Sequence, residues 1–503
     1  MQGMKIMTQH INTLVIGAGI SGIGVAVHMQ QNSPQRDFII LERRDRIGGT
    51  WSLFKYPGIR SDSDMSTFGY KFKPWREDKV LAEAGAICNY LQETIDEYHL
   101  QSKIRFNHAL NAANWNTEKQ LWELEIDNNG SVEQWTANFV IGCTGYYNYE
   151  HGFQPKYVDQ DKFKGQLIHP QHWPENLDVV GKKVVIIGSG ATAITLVPAL
   201  AKQDAIVTML QRSPTYIASI PSIDFVYNKL RKILPESVAY NLTRKRNIGF
   251  QRAIYKFSKS NPEAVKKFLL AGVKMQLKGK VDMKHFTPNY NPWDQRLCVV
   301  PDGDLFKVLR EGKAFIETDH IEKFVEHGIQ LKSGKVLEAD IIVSATGLEI
   351  QLLGGLNASI DGKAIETKEH LMYQGSMISD VPNFALIIGY TNASWTLKVD
   401  IVAEYLCRLF NYMDKHGFAT VTPQGDESAK STVSLMGSNL TSGYIKRAEQ
   451  VMPRQGLKDP WAGRASYYAD RDALQKANFK DGILKFVSLT ANPKAKKRIK
   501  LFG

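Results

Sequence analysis

"INTLVIGAGISGIG", residues 11–24, holds the reading on which the fold turns. An apolar strand, residues 14–16, runs directly into Gly17, Gly19 and Gly22. That GxGxxG spacing serves a tight turn, close approach of backbone to a pyrophosphate, and close packing of the following helix. The helix N-terminus adds free N–H groups and a dipole that favours phosphate. Glycine turns between strand and helix are common, so the turn alone decides little. The next strand, "DFIILE", ends at Glu42, 20 positions after Gly22, where a carboxylate accepts hydrogen bonds from a ribose diol. Strand, glycines, helix and acid together predict a dinucleotide site.

The pattern returns at "KKVVIIGSGATA", residues 182–193, as Gly188, Gly190 and Ala193 in the GxGxxA form. Here the following strand ends in Arg212, 19 positions after Ala193. An acid at that place holds a free 2′-hydroxyl, whereas a guanidinium suits a 2′-phosphate through charged, bidentate hydrogen bonds. The first turn is therefore assigned FAD and the second NADPH, against the plainer reading of Arg212 as a solvated strand-end residue. Two apolar strands close on Thr-Gly turns, "ANFVIGCTGYY" with Thr144 and Gly145, and "EADIIVSATGLE" with Asp340, Thr346 and Gly347. They bracket the second glycine turn and mark where the chain leaves the first domain and returns to it. The expected fold is α/β, with two Rossmann-like domains. Residues 8–148 and 348–503 form a discontinuous FAD domain. Residues 163–345 form an NADPH domain inserted in it, and residues 222–290 form a basic helical insertion within that.

A chain of 503 residues is too long for one core. Its 43% apolar and 23% charged residues suit an ordinary globular protein. Cys88, Cys143, Cys298 and Cys407 lie far apart, which argues against a disulfide framework, a zinc site or a dithiol redox centre. "MQGMKIMTQH" has no long apolar core and no small-residue cleavage site, so a cytoplasmic location is expected. Residues 184–201 carry no charge, yet "GSGATA" and Pro198 read as strand, turn and buried helix rather than a membrane span.

The net charge is +12 and uneven: residues 225–285 carry 15 Lys or Arg against 3 Asp or Glu. Within them Val265, Leu269, Val273 and Leu277 recur every fourth position, with Lys266, Lys267, Lys274 and Lys278 between. This amphipathic basic helix suits an anionic membrane surface, the steering of anionic NADPH, or simply a solvated face. No nucleic-acid-binding module accompanies the charge, so no nucleic-acid partner is expected.

Between the two dinucleotide turns lies "FKGQLIHPQHWP", residues 163–174. Phe163, Gly165, His169, Trp173 and Pro174 match the pattern FxGxxxHxxxWP at every specified position. With two dinucleotide turns in this order, the chain resembles the type I Baeyer–Villiger monooxygenases among the flavoprotein monooxygenases. It is most similar to their ethionamide-activating branch over nearly its whole length. The related flavin-containing monooxygenases carry a similar motif with Tyr in place of the Trp and without the Pro. Ala193 departs from the third Gly of many relatives but leaves helix packing possible.

The resemblance implies that "GGTWSLFKYPGIRSD" is a flavin-contacting loop, with Gly49, Thr50 and Trp51 near the cofactor and Asp62 close to the isoalloxazine. It also implies that "NYNPWDQR" carries an active-site arginine, Arg296, oriented by Asp62. Hydride transfer from NADPH to FAD would be followed by addition of O2 to give a C4a-peroxyflavin. Attack of this species on a ketone yields an ester or lactone, with sulfoxidation as a side activity. The implied substrate is a small apolar ketone or thioether. His169 and Trp173 would couple domain movement to cofactor binding, or His169 is held only by packing. "YTNASWTLK" and "PRQGLKDPW" resemble the same branch without assignable roles. Two other classes stay open: heteroatom N- or S-oxygenation, and an NADPH oxidase or redox sensor that releases peroxide.

Overall fold

The computed structural model describes residues 9–295, 297–390, 392–435, 443–464 and 466–488. In chain order, strand β1 (Gln9–Ile16) leads into helix α1 (Ile20–Asn32) and strand β2 (Phe38–Leu41), and strand β3 (Ser131–Gly142) returns beside β1. Next come β4 (Gln166–Ile168), β5 (Lys183–Ile187), helix α2 (Ala191–Ala201) and β6 (Ile206–Gln211). Helices α3 (Phe225–Ile233), α4 (Glu236–Ser260) and α5 (Pro262–Leu277) form the insertion. Strands β7 (Ala314–Thr318), β8 (Ile341–Ser344) and β9 (Phe384–Leu386) follow, then helices α6 (Trp395–His416) and α7 (Tyr467–Gln475).

Two sheets organise the chain. The larger has parallel strands β2, β1, β3 and β9 at its heart and an antiparallel meander on the far side of β3. The smaller is parallel throughout, in the order β7-β6-β5-β8-β4. β9 joins the larger sheet after the smaller sheet is complete, so strands from both sides of the second glycine turn build one layer. Both glycine turns leave strands flanked on each side, β1 between β2 and β3, and β5 between β6 and β8. That is the crevice position where open α/β sheets bind ligands.

The local sequence explains the layers. Helix α1 is buried from Ser21 to Met29, because the sheet covers one side and α6 the other. Its near-absence of charge suits such a two-sided interior. Residues 184–201 form strand, turn and helix as expected, and no described helix is long and apolar enough to cross a membrane.

The insertion departs from one expectation. Leu269, Val273 and Leu277 of α5 are buried, and Val273 and Leu277 belong to the core of the smaller sheet. The stripe at intervals of four therefore faces protein, because it is the surface that α5 uses to pack. Residues 163–174 also supply a strand of their own: "QLI" is β4, the edge strand beside β8.

Candidate functional site

The two glycine turns are built alike. Gly17 N–H donates to the Leu41 carbonyl at 2.7 Å, and Gly188 N–H to the Leu210 carbonyl at 2.8 Å. A Cβ at Gly17 would lie 2.8 Å from the Cys143 carbonyl oxygen, and one at Gly188 would lie 2.4 Å from that of Ala345. Cys143 and Ala345 are the residues just before the two Thr-Gly turns, where Gly145 and Gly347 both take positive φ. Each glycine turn is thus wedged against its own Thr-Gly turn, and only glycine fits the wedge.

The third positions differ. At Gly22 a Cβ would stand 1.9 Å from the Gly17 carbonyl oxygen, whereas Ala193 carries its methyl fully buried in the smaller core. Gly19 and Gly190 are the N-caps of α1 and α2, and neither helix start has a side-chain cap. Their first N–H groups are left for a ligand.

A cavity of about 640 Å³ opens at the first turn. Gly17, Gly19, Glu42, Gly49, Thr50, Trp51, Asp62, Gly145, His169 and Gly347 all line it. Glu42 is buried, with one carboxylate oxygen accepting from Ala18 N–H at 2.9 Å and the other from Arg44 N–H at 3.0 Å. Lone pairs remain for a diol. Gly22 lies behind the cavity, in the turn. Gly188, Gly190, Ala193 and Arg212 belong to the second turn. Arg212 is exposed past the end of β6 and makes no ion pair with the described residues. Arg296 lies outside the described residues.

The motif between the turns divides its labour. Phe163 packs edge-on to Phe324, 6.2 Å between centroids, and a Cβ at Gly165 would stand 2.3 Å from the Asp340 carbonyl oxygen. Trp173 is half-buried against the smaller core, and Pro174 is exposed. His169 reaches the cavity wall. Its Nδ1 accepts from Gln171 N–H at 3.2 Å, which leaves Nε2–H to donate to the Gly347 carbonyl at 3.3 Å. Burial lowers its pKa, which favours the neutral ring those two bonds need. Gln171 Nε2 donates to the Asn148 carbonyl at 2.9 Å, and His172 meets the Glu150 carbonyl at 2.8 Å. The motif therefore ties both connections between the sheets to one point.

Residues without an assigned role complete the wall. Tyr56 is hydrogen-bonded to Thr192 in the first turn of α2, and burial pushes its hydroxyl up to about 12. Both residues line the cavity, so the second dinucleotide helix reaches the first site. Arg60 pairs with Asp304 at 2.7 Å, tying the segment that follows Gly49 to the smaller unit. Trp395 donates from Nε1 to Ser21 Oγ at 2.7 Å. The Tyr390 hydroxyl donates to Asp470 of α7 at 2.6 Å, and Lys398 pairs with the same carboxylate oxygen at 2.6 Å. Burial, then Asp470, holds the Tyr390 phenol well above its ordinary pKa, so it remains a donor. Thr192 lies inside the GxGxxA motif, between Gly190 and Ala193, and its place could have been read there. Tyr390 and Trp395 lie in "YTNASWTLK", and only the fold shows what they face.

A dinucleotide fits each site on one further observation. Half-buried Arg44 donates through Nη2 to the carbonyl of Gly49 at 2.8 Å; its Nε stands 3.7 Å from Glu42 Oε1, and its Nη1 has no hydrogen-bond partner among the described residues. An unsatisfied guanidinium N–H next to cavity-lining Gly49 suits an anionic or polar ligand. At the second site Gly190 has open space where a Cβ would stand.

Two sheets of this kind, each with a glycine turn and sharing one cavity wall, define a two-dinucleotide α/β protein. The family model described as "Flavin-binding monooxygenase-like" matches residues 10–373. A protein of Acinetobacter baylyi named "Probable FAD-binding monooxygenase AlmA" is 63% identical over 497 residues, 98% of this chain and 100% of the relative. The "FAD-containing monooxygenase EthA" of Mycobacterium tuberculosis is 45% identical over 487 residues, 96% and 99% of the two chains. Among solved structures, an oxidized steroid monooxygenase bound to NADP superposes with a TM-score of 0.75 at 21% identity, over 95% of this chain and 100% of the other. A complex of OTEMO with FAD and NADP gives 0.74 at 20% identity, over 95% and 100%. The chain belongs to the flavin-binding monooxygenase-like family.

Proposed function

We propose that this protein is an FAD- and NADPH-dependent monooxygenase of the Baeyer–Villiger type, converting small apolar ketones to esters or lactones, with sulfoxidation as a side activity. The observation that carries the reading is the complete FxGxxxHxxxWP segment, whose His169 meets Gly347 at the wall of the cavity that fits a dinucleotide. The flavin in its relatives' names and the NADP bound in the similar folds support the two cofactors.

FAD is assigned to the first turn, with residues 8–148 and 348–503 as its domain. NADPH is assigned to the second, with residues 163–345 and the insertion at 222–290. The bound flavin, reduced by NADPH, supplies the activation of O2; the protein supplies position, charge and dryness. Gly17, Gly19 and Gly22 admit the pyrophosphate, Glu42 accepts from the ribose, and Gly49, Thr50 and Trp51 hold the ring end. Gly188, Gly190 and Ala193 form the second cradle. Asp62, in the cavity wall, orients Arg296, whose guanidinium stabilises the oxyanion that forms on the ketone. His169 acts on the hinge at Gly347 rather than as acid or base. The protein works in the cytoplasm, and the reading includes peripheral contact of residues 225–285 with the inner membrane surface.

Arg212→Glu is expected to lower kcat/KM for NADPH by about 10- to 100-fold while NADH use is kept, since a charge-assisted bond to phosphate contributes about 1.5–3 kcal/mol. An unchanged NADPH/NADH ratio would remove Arg212 from the site. The reaction itself is tested by mass spectrometry of products from holoenzyme given NADPH, ¹⁸O2, a linear ketone and an aryl thioether. Ester with one heavy oxygen supports the assignment. Labelled sulfoxide alone moves it to heteroatom oxygenation, and labelled peroxide alone to an oxidase or sensor. Arg296→Ala should retain FAD yet lose ester formation by at least about a hundredfold; normal ester yield would refute the role.

A further inference from the structure

The insertion turns its packing stripe inward and still leaves large apolar groups outside. Of the six phenylalanines exposed among the described residues, four lie here, Phe225, Phe250, Phe257 and Phe268, which concentrates them on one unit rather than scattering them. Phe268 is 77% exposed and Ile233 79%. On α4, Phe250 and Phe257 stand seven residues apart; on α5, Phe268 and Met275 do the same, so each pair shares a face of its helix.

Positive charge sits beside four of these six apolar groups. Lys232 precedes Ile233, Lys256 precedes Phe257, Lys267 precedes Phe268, and Lys274 precedes Met275. All four lysines are exposed, and none forms an ion pair with the described residues. An aromatic or aliphatic group next to a long cationic stem is the pairing that an anionic lipid surface accepts. The ring enters the interface while the ammonium snorkels to the headgroups. An acidic protein surface would meet the lysines but has no use for so many isolated phenylalanines. Double-stranded nucleic acid would leave them in water.

We infer that the outer face of α3, α4 and α5 is a docking surface for an anionic membrane. This specifies the peripheral contact included in the proposed function and rests on that part of it, while ester formation stands independently. The inner side of α4 gives the docking its consequence. Asn247 and Gln251 donate to the two oxygens of Asp64 at 2.8 and 2.7 Å, and residues 61–63 line the cavity. The lipid-facing helix thus also supports the cavity rim.

The test uses flavin-loaded full-length protein and flotation with vesicles of phosphatidylcholine alone or mixed with phosphatidylglycerol. Binding is expected to the anionic vesicles and not to the neutral ones. Replacing Lys256, Lys267 and Lys274 together by Gln should weaken it roughly a hundredfold, at about fivefold per cation. Phe257→Ser with Phe268→Ser should also release the protein, with FAD content and thermal stability unchanged. No flotation with anionic vesicles would overturn the docking, as would binding indifferent to the Phe replacements, which would reduce it to charge alone. Oxygenation of a water-soluble thioether without lipid, measured on the same samples, separates failure of docking from failure of the proposed reaction.

Discussion

Gly22→Ala should yield a folded protein that purifies without FAD and forms no ester. The added Cβ would stand 1.9 Å from the Gly17 carbonyl oxygen and 3.1 Å from its carbon, so backbone must move. Overpacking of this kind costs about 1–3 kcal/mol when side chains can yield. Here the obstacle is the turn proposed to cradle the pyrophosphate. Moving it outward separates the α1 N-terminus from the Cys143 carbonyl, to which Gly17 already lies so close that a Cβ on it would stand 2.8 Å from the oxygen. The binding site is damaged more than the fold, because the surrounding core depends on Val15, Ile23 and Val25 and not on the glycine. Gly85→Ala, within the helix Ala84–Glu97 where a Cβ meets nothing within 4 Å, is the control and should keep full flavin. Flavin absorbance per chain and circular dichroism decide the matter. A Gly22→Ala protein with one flavin per chain and wild-type ester formation would show that the turn tolerates a methyl, as α2 does at Ala193.

That contrast shows what sequence could and could not say. Both turns, both Thr-Gly closures and Glu42 were legible because each lies within a few residues of a strand end, where spacing alone dictates geometry. The difference between Gly22 and Ala193 was written in the chain, but its meaning needed the distance from helix to turn. The stripe of Leu269, Val273 and Leu277 was legible as a face, whereas what covers it was not. A periodic pattern says that one side is apolar and is silent on whether protein or lipid takes it. The short strand Gln166–Ile168 escaped for a related reason: three residues carry too little pattern, and its partner β8 is 175 positions further on. Tyr390 and Asp470 are joined across 80 residues. Such pairs are set by tertiary packing, and nothing local announces them.

Arg244→Met should be the most destabilising single replacement on the insertion, lowering stability by about 3–5 kcal/mol. Arg244 is 5% exposed, and its Nη2 donates to Asp400 at 2.9 Å while its Nη1 donates to the carbonyls of Ser66, Thr67 and Gly69 at 3.1, 3.1 and 2.5 Å. Asp400, 2% exposed on α6, also accepts from Lys71 N–H at 3.0 Å and meets His28 Nε2 at 3.1 Å. One guanidinium therefore fastens the insertion to the larger domain at the segment leading out of the cavity wall. Methionine fills similar volume, so the loss is of charge and donors rather than of packing. It leaves a buried carboxylate with two partners and takes a donor from three carbonyls, of which those of Thr67 and Gly69 keep Thr396 Oγ1. Asp400→Asn keeps an acceptor for Lys71 N–H and should cost less. Thermal unfolding of the holoenzymes ranks the three proteins, and equal midpoints would show that the pair merely breaks even against its desolvation. The same variant bears on chemistry. Once α4 loosens, Asn247 and Gln251 no longer hold Asp64 beside the cavity rim. Water should then reach the proposed flavin site, and the fraction of NADPH oxidation that ends as hydrogen peroxide should rise even below the unfolding temperature. Destabilisation without added peroxide would confine Arg244 to the fold and separate the insertion from the site.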